Sequence, residues 1–267
     1  MFRPLALAAC LVSAALALVF TQTAFAAASP YTGQGSDISW PQCGKAYPAG
    51  VSFGIVGIDH GRPFDPDNQY GPNPCLGSEY AWAQKTGRAD LYLNTGYDPS
   101  YVTNHAVDAC VSQESSHGAD LAHQQAWEVG CATAWFNYYY VTGTGTNRYG
   151  YTQQGLAPPA MWWLDVETGN SWSSTDLTLN AATLQGAVDE LTSLSGLPVG
   201  AYSTAYQWGQ VAGQNPVTGL TAVWVATGQA RSKNVTAYCT RGFDGFSRAW
   251  LVQWVSRNAY DYDVACA

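Results

Sequence analysis

The feature that most restricts the fold is a segment with the pattern strand, helix, strand. Residues 160–167 (AMWWLDVE) are apolar until they end in two carboxylates, and residues 198–203 (PVGAYS) form a second short apolar run. Between them, apolar residues recur at helical spacing, from an expected N-cap at Asn180 to an expected end at Gly196. Two parallel strands need such a crossover, so the pattern predicts a parallel βαβ unit.

Similar patterns along the chain extend this unit to an α/β domain. The further predicted strands are residues 36–39, 53–59, 90–95, 222–227 and 250–255, and the further predicted helices are residues 78–86, 118–139 and 204–212. No G-x-G-x-x-G loop follows a strand, which disfavours a doubly wound dinucleotide-binding sheet. We therefore predict a single irregular (β/α) TIM-like barrel. No eighth strand is evident from the sequence, so either this strand is short, near residues 132–140, or the barrel is irregular.

The amino-terminal segment has the pattern of a secretory signal peptide. Arg3 provides a positive start, residues 4–20 are apolar, and Ala24-Phe25-Ala26 is a small-x-small cleavage site. An uncleaved anchor is the alternative, but the apolar run is short for a span of about 20 residues. We predict a signal peptide at 1–26, a barrel domain at 27–267 and a secreted, extracellular protein, with association with the cell wall as a further expectation.

Seven cysteines are present, and removal of the signal peptide takes Cys10 with it. An even set of six in an exported chain indicates disulfides, and six cysteines can pair in fifteen ways. We favour sequential pairing because it closes only local loops. The expected pairs are Cys43 with Cys75, Cys110 with Cys131, and Cys239 with Cys266. A metal site is the alternative, but no C-x-x-C or clustered histidine motif supports it.

Composition excludes several classes of partner. The net charge is −8, and only 11% of residues are charged, whereas 13% are aromatic. A chain without clustered Lys and Arg is unsuited to nucleic acid or to an anionic membrane surface. No G-x-S-x-G, H-E-x-x-H or phosphate-binding G-x-x-x-x-G-K motif is present either.

Carboxylates at predicted strand ends are the strongest candidates for chemistry. Asp165 and Glu167 share one face of their strand, with Cα atoms roughly 6.5 to 7 Å apart. Asp37 and Asp59 end the first two predicted strands, and parallel barrels collect such ends at one site. A protonated acid beside an ionised carboxylate is what glycoside hydrolysis requires. A solvated or helix-capping acidic pair is the alternative. His60 is a further candidate beside Asp59, or else a surface group.

Three ordered motifs resemble the Chalaropsis-type lysozymes of glycoside hydrolase family 25. Residues 37–42 (DISWPQ) are similar to its opening D-x-S-x-x-Q strand, and residues 164–167 (LDVE) to its D-x-E strand end. Gln253 with Trp254, followed by residues 260–263 (YDYD), is similar to its closing segment. The order and spacing of the motifs span nearly the whole mature chain.

The resemblance implies an irregular barrel that hydrolyses the β-1,4 bond of peptidoglycan with retention, as a monomer and without metal or organic cofactor. It implies Glu167 as the general acid, Asp165 as a stabilising carboxylate and Asp37 as a residue that tunes both. Asp261 would be the closing aspartate, and Asp263 stands where the family has an asparagine.

Aromatic side chains suit the apolar faces of sugar rings, although core packing is the better expectation for any single ring. The candidates for substrate contact are Trp40, Tyr97, Trp163, Trp208, Trp224 and Trp254, together with the amide of Gln253. The third strand departs from the family pattern, with Leu91-Tyr92-Leu93-Asn94 in place of a G-x-Y-H-F-like run. Two alternatives therefore stay open: a catalytically altered glycan-binding wall protein, and a hydrolase of another polysaccharide.

Overall fold

A computed structural model describes residues 28–59, 71–100, 106–144, 152–228, 234–256 and 260–266. Eight strands close into one barrel in sequence order. They are β1 (Gln34–Ile38), β2 (Phe53–Gly57), β3 (Ala89–Asn94), β4 (Trp162–Asp165), β5 (Val199–Ser203), β6 (Leu220–Ala226), β7 (Leu251–Val255) and β8 (Asp261–Ala265). The predicted TIM-like barrel is confirmed. The predicted signal peptide lies outside the described residues.

The eighth strand makes the barrel irregular, as one of the two alternatives predicted, but it does not lie near residues 132–140. Strands β1 to β7 pair in parallel, but β8 is antiparallel to both β7 and β1. The connection from Val255 to Asp261 is too short for a parallel crossover, which needs a dozen or more residues, so the chain turns back beside β7. The Ser256 N–H donates to the Tyr260 carbonyl within this return.

Residues 132–140, proposed as a short strand, lie instead inside a long helix. Their aromatic residues favour strands locally, but the flanking signals favour a helix. The Asp120 side chain accepts from the His123 N–H at the start, and Gly143 ends the helix in the left-handed conformation with φ of 72°. Tertiary packing and both caps therefore override the local strand preference.

The α-helices that lie within the described residues are α1 (Leu76–Ala83), α2 (Asp108–Glu114), α3 (Leu121–Thr142), α4 (Leu177–Ser195) and α5 (Ala205–Val211). Helix α4 begins earlier than predicted, because Asp176 and not Asn180 is its N-cap. Asn180 is fully buried inside the helix, where its side-chain amide donates to the Ser173 and Val211 carbonyls. Gly196 ends α4 as predicted. Among the described residues, no helix is long and apolar enough to cross a membrane.

Alternation along the strands divides the core into two layers. Trp162 and Leu164 of β4 face the surrounding helices, while Trp163 faces the barrel interior with Phe53 and Trp224. All five side chains are at most 2% exposed. Successive side chains on a strand point to opposite faces, so the next inward residue after Trp163 is Asp165. The inward side chains of β4 are therefore aromatic within the barrel and polar where the strand ends.

The three disulfides have the pairing predicted from the sequence. Cys110 and Cys131 join α2 to α3. Cys239 and Cys266 join a 3-10 turn to the end of β8. The last bond attaches the antiparallel closing strand to the segment before β7, which restrains the part of the barrel with the shortest connection.

Helices α3 and α4 pack so closely that two glycines are required between them. A Cβ atom on Gly130 of α3 would overlap the Thr183 carbonyl oxygen of α4, and one on Gly186 of α4 would overlap the Trp127 carbonyl oxygen. Backbone atoms cannot move aside as a flexible side chain can. The two helices can approach this closely only because these positions lack side chains.

We expect Gly130→Ala to lower the unfolding free energy by about 3 kcal/mol or more, because the helices must separate to admit the methyl group. Gly209→Ala on α5 is the matched control, since nothing lies within 4 Å of its added Cβ. Higher helix propensity should make that variant neutral or more stable by up to about 1 kcal/mol. Urea denaturation measures both, and equal stability of the two variants would contradict the close packing.

Glu190 on α4 makes stability depend on pH. Its side chain is 5% exposed, and burial, followed by the negative charge of Asp189, raises its pKa from 4.5 to about 7. Between those values the folded chain keeps a proton that the unfolded chain has lost. Stability therefore falls as pH rises through this window, by at most about 1.4 kcal/mol per pH unit for one group.

Glu190→Gln should flatten this dependence, because an amide does not titrate. We expect the loss of unfolding free energy between about pH 5 and about pH 7 to be smaller in the variant than in the native protein. Chemical denaturation at the two pH values measures it. An unchanged difference would show that Glu190 does not titrate in this range.

Candidate active site

A cleft of about 190 Å³ opens at the carboxyl ends of the parallel strands. Its lining combines four carboxyl groups with two tyrosines, one indole and one amide: Asp37, Tyr92, Asp165, Glu167, Tyr202, Trp224, Gln253 and Asp261. No Lys or Arg is among these lining residues. Strand ends from around the barrel thus converge on one acidic cavity.

Strand β4 supplies two of the carboxyl groups. Asp165 is its last residue, lies opposite Asn94 of β3 and Tyr202 of β5, and is 8% exposed. The Thr95 N–H and hydroxyl both donate to its backbone carbonyl, at 3.1 and 2.6 Å. Its side-chain Oδ1 is buried and finds no hydrogen-bond partner within the described ranges. That oxygen therefore keeps its accepting capacity for a group that enters the cleft.

Glu167 lies two residues beyond the end of β4, and its half-buried side chain reaches the same cavity. The Trp172 indole N–H donates to its backbone carbonyl at 2.8 Å, and the Asn170 N–H donates at 3.1 Å. These bonds fix a segment that strand pairing no longer holds.

A hydrogen-bonded chain crosses the cleft from β5 to β1. The Tyr202 hydroxyl donates to Oε1 of Gln253 at 2.7 Å, and Nε2 of Gln253 donates to both oxygens of Asp37 at 3.1 Å. Because the tyrosine hydrogen fixes the amide orientation, the Gln253 N–H groups face the carboxylate. Gln253 therefore stabilises Asp37 in its ionised form.

The closing strand β8 adds two further acids against Asp37. Asp261 lies opposite Asp37 in the antiparallel register and lines the cleft, whereas Asp263 lies opposite Gly35 and is fully buried below it. Burial, and then the charge of Asp37, holds the pKa of Asp263 well above its usual range. Asp263 is a buried neighbour of the cleft carboxylates and not part of the lining.

Burial in one cavity raises the pKa of each lining acid. Burial and then the charge of Asp261 raise the pKa of Asp37 to about 8, while the Gln253 amide opposes the shift. Burial and then Glu167 hold the pKa of Asp165 well above its usual range. Burial and then Asp261 raise the pKa of Glu167. The cleft therefore retains protons at pH values where exposed carboxyls would be ionised.

Of the remaining polar candidates, Asp59 is not part of the lining. Asp59 is buried beside β3, where it accepts from the backbone N–H and the side-chain Nδ2 of Asn94. It still acts on the cleft, because its charge contributes to the raised pKa of Asp165. His60 lies outside the described residues.

The aromatic candidates divide by location. Trp224 forms part of the cleft lining, and Trp40, at the start of a 3-10 turn that follows β1, is 45% exposed. Tyr97 is half-buried, and its N–H donates to the Ser171 carbonyl beyond β4. Trp163 is fully buried in the barrel interior, so its role is packing.

Two further indoles lie away from the cleft. Trp208 lines a separate hollow and stacks on Phe243 with ring centroids 4.9 Å apart. Trp254 stacks on Tyr262 and packs against the outer core layer. The predicted substrate contacts at these two residues are not supported by their positions.

Two cleft residues were missed by the sequence analysis. Tyr92 and Tyr202 both line the cavity, and Tyr202 lies opposite Asp165 across β4 and β5. The sequence signal that could have found them is strand alternation, because each occupies an inward position near the end of its strand. Without the register between strands, an inward residue that lines the cleft could not be distinguished from one that packs in the core.

One group of ligand atoms in the described chain is close enough to suggest a metal ion. The Cys110 and Cys131 sulfurs and a Glu190 carboxylate oxygen lie within 4.8 Å of one another. Both sulfurs belong to a disulfide, so they cannot act as thiolate ligands.

The fold and site together define an eight-stranded β/α barrel with one antiparallel strand and a carboxylate-lined cleft. The barrel is similar to a glycosyl hydrolase 25 of Streptococcus pneumoniae, described as a virulence factor in host cell invasion, with TM-score 0.54 and 16% identity over 87% of this chain and 86% of that one. It is also similar to a bacterial lysozyme from Streptomyces coelicolor, with TM-score 0.52 and 16% identity over 89% and 94% of the two chains.

A family 25 lysozyme from Aspergillus fumigatus gives the same result, with TM-score 0.52 and 16% identity over 88% of this chain and 93% of that one. No family model matches the sequence, and no curated protein sequence matches it. At this identity the likeness establishes a shared fold over nearly the whole length of both chains. The predicted resemblance is confirmed at that level.

Proposed function

We propose that the protein is a secreted glycoside hydrolase that cleaves the β-1,4 bonds of peptidoglycan, as an N-acetylmuramidase. The observation that carries the proposal is the pairing of Asp165 and Glu167 at the end of one strand, in a cavity whose burial raises the pKa of both. The fold shared with solved lysozymes supports the same conclusion.

Glu167 is the proposed general acid. A raised pKa keeps its proton available near neutral pH, and its half-buried position lets it reach a glycosidic oxygen. Proton transfer to that oxygen accompanies cleavage of its bond to the anomeric carbon. A water molecule then bonds the anomeric carbon through its oxygen and gives one proton to the Glu167 carboxylate, which restores the acid.

Asp165 is the proposed stabilising carboxylate. Its unpartnered Oδ1 offers a lone pair to the positive charge that develops at the sugar ring or to the substrate N-acetyl N–H. Developing positive charge favours the ionised form of a carboxyl group whose pKa is otherwise raised by neighbouring acids. Asp37, held by Gln253 and with a pKa that burial and then the charge of Asp261 raise to about 8, adds a further carboxyl group to the same cavity.

Export fits this proposal. The three disulfides are typical of proteins that fold outside the reducing cytosol. The predicted signal peptide would deliver the chain to a compartment where it meets cell-wall glycan. Mass spectrometry of the mature amino terminus from the culture medium tests cleavage after Ala26.

Digestion of purified peptidoglycan tests the activity. Reducing ends should accumulate, and borohydride reduction of the products should label muramic acid and not glucosamine. Products from chitin without products from peptidoglycan would indicate a hydrolase of another polysaccharide. Binding to glycan strands without turnover over a broad pH range would overturn the enzymatic proposal and favour a glycan-binding wall protein.

A further inference from the structure

Gln207 links α5 to the segment that carries the proposed general acid. Thr204 is the N-cap of α5, and its side-chain oxygen accepts from the Gln207 N–H at 2.9 Å. This bond fixes the backbone of Gln207 in the first turn of the helix. Its side chain extends from there to the residues that follow β4.

The orientation of the Gln207 amide follows from its partners. Oε1 of Gln207 accepts from the Thr168 N–H at 2.8 Å and from the Thr168 hydroxyl at 3.1 Å. A backbone N–H can only donate, so the side-chain atom that faces it must be the oxygen. The NH₂ group therefore occupies the other branch of the amide, and hydrogen bonding by the Gln207 side chain lowers the pKa of Glu167.

Glu167 needs such a support because β4 ends before it. Asp165 is the last residue of the strand, and barrel pairing does not extend to Glu167 or Thr168. Trp172 and Asn170 hold the Glu167 carbonyl from one side. Gln207 holds the next peptide N–H from the other side, so the residue is fixed between two points.

We infer that Gln207 is a positioning residue for Glu167, whose backbone it holds through the N–H and hydroxyl of the next residue, Thr168. The inference rests on the proposed role of Glu167 in hydrolysis. The Gln207 amide also stabilises the ionised glutamate, which opposes the rise in its pKa caused by burial and by Asp261. Gln207 thus acts on both the position and the acidity of the same side chain.

Two substitutions separate these effects. Gln207→Glu keeps an oxygen that can accept from Thr168 but replaces the NH₂ group with a second carboxylate oxygen. Gln207→Met keeps the approximate length and removes both hydrogen-bonding functions. Gln210→Glu is the matched control, since it adds the same charge to an exposed position of the same helix.

We expect Gln207→Glu to extend activity to higher pH, because the added negative charge favours protonated Glu167. At about pH 8 it should retain at least about twice the fraction of its own maximal activity that the native protein retains. Gln207→Met should lower kcat by about tenfold with little change in KM, because the acid loses its alignment but the glycan contacts remain. Gln210→Glu should match the native protein in both.

A second readout does not require turnover. Carbon-detected NMR titration of the Glu167 carboxyl should show a higher midpoint in Gln207→Glu and no change in Gln210→Glu. If the native protein hydrolyses no glycan, the proposed function fails, while the titration still decides the role of Gln207. An unchanged midpoint together with a native kcat in Gln207→Met would overturn the inference. Thermal unfolding of each variant checks that the fold is intact.

Discussion

Glu167→Gln is expected to lower kcat for peptidoglycan hydrolysis by about 10³-fold or more, because glutamine cannot donate a proton to the leaving oxygen. The amide has nearly the same size as the carboxyl group, so substrate binding should persist. The side chain is half-buried and has the charge of Asp261 nearby, which means that loss of its own charge removes repulsion. We therefore expect a melting temperature equal to or slightly above the native value.

Glu190→Gln provides the control for this substitution. It makes the same chemical change at a buried residue of α4 that does not line the cleft. Release of reducing ends at matched protein concentration should be native in this variant and lost in Glu167→Gln. Native activity in Glu167→Gln would remove Glu167 from the mechanism.

Asp165→Asn is expected to lower kcat by about 10²-fold or more while raising the unfolding free energy by about 1 kcal/mol. The charges of Glu167, Asp59 and Asp37 all oppose ionisation of Asp165 in the folded protein. Asparagine removes that repulsion and also removes the charge that would stabilise an oxocarbenium-like centre. Opposite effects on activity and stability are typical of a carboxylate retained for function.

Urea denaturation and initial rates on the same preparation measure the two effects. Asp108→Asn, an exposed aspartate at the start of α2, is the control and should change neither quantity substantially. A large loss of stability in Asp165→Asn would indicate that Asp165 serves the fold. Native activity would eliminate its proposed role in the transition state.

The fold could be predicted where local periodicity and burial agree. The apolar runs of β4 and β5 and the helical spacing of α4 point to the same parallel unit, and the structure contains it. The location and direction of β8 were not predicted, because this strand is set by a short connection and by pairing with both β7 and β1. No local pattern separates those pairings from a loop.

The candidate site could be predicted only in part. Asp37, Asp165, Glu167 and Asp261 converge on one cavity, as the strand-end argument and the motifs expected. The same reasoning placed Trp208 at the substrate, although it stacks on Phe243 in another hollow. A helix start after a strand gives no information about which way an indole will turn, since that depends on its packing partners.

The sequence by itself determined the alternation that sends Trp163 and Asp165 into the barrel, the position of carboxylates at strand ends, and the even set of cysteines. Only the tertiary structure decided that β8 would return antiparallel and bring Asp261 and Asp263 against Asp37. Side-chain alternation is local, because it follows from the geometry of one strand. Burial and charge repulsion depend on which strands are neighbours. The raised pKa values of the cleft carboxyl groups therefore exist only in the closed barrel.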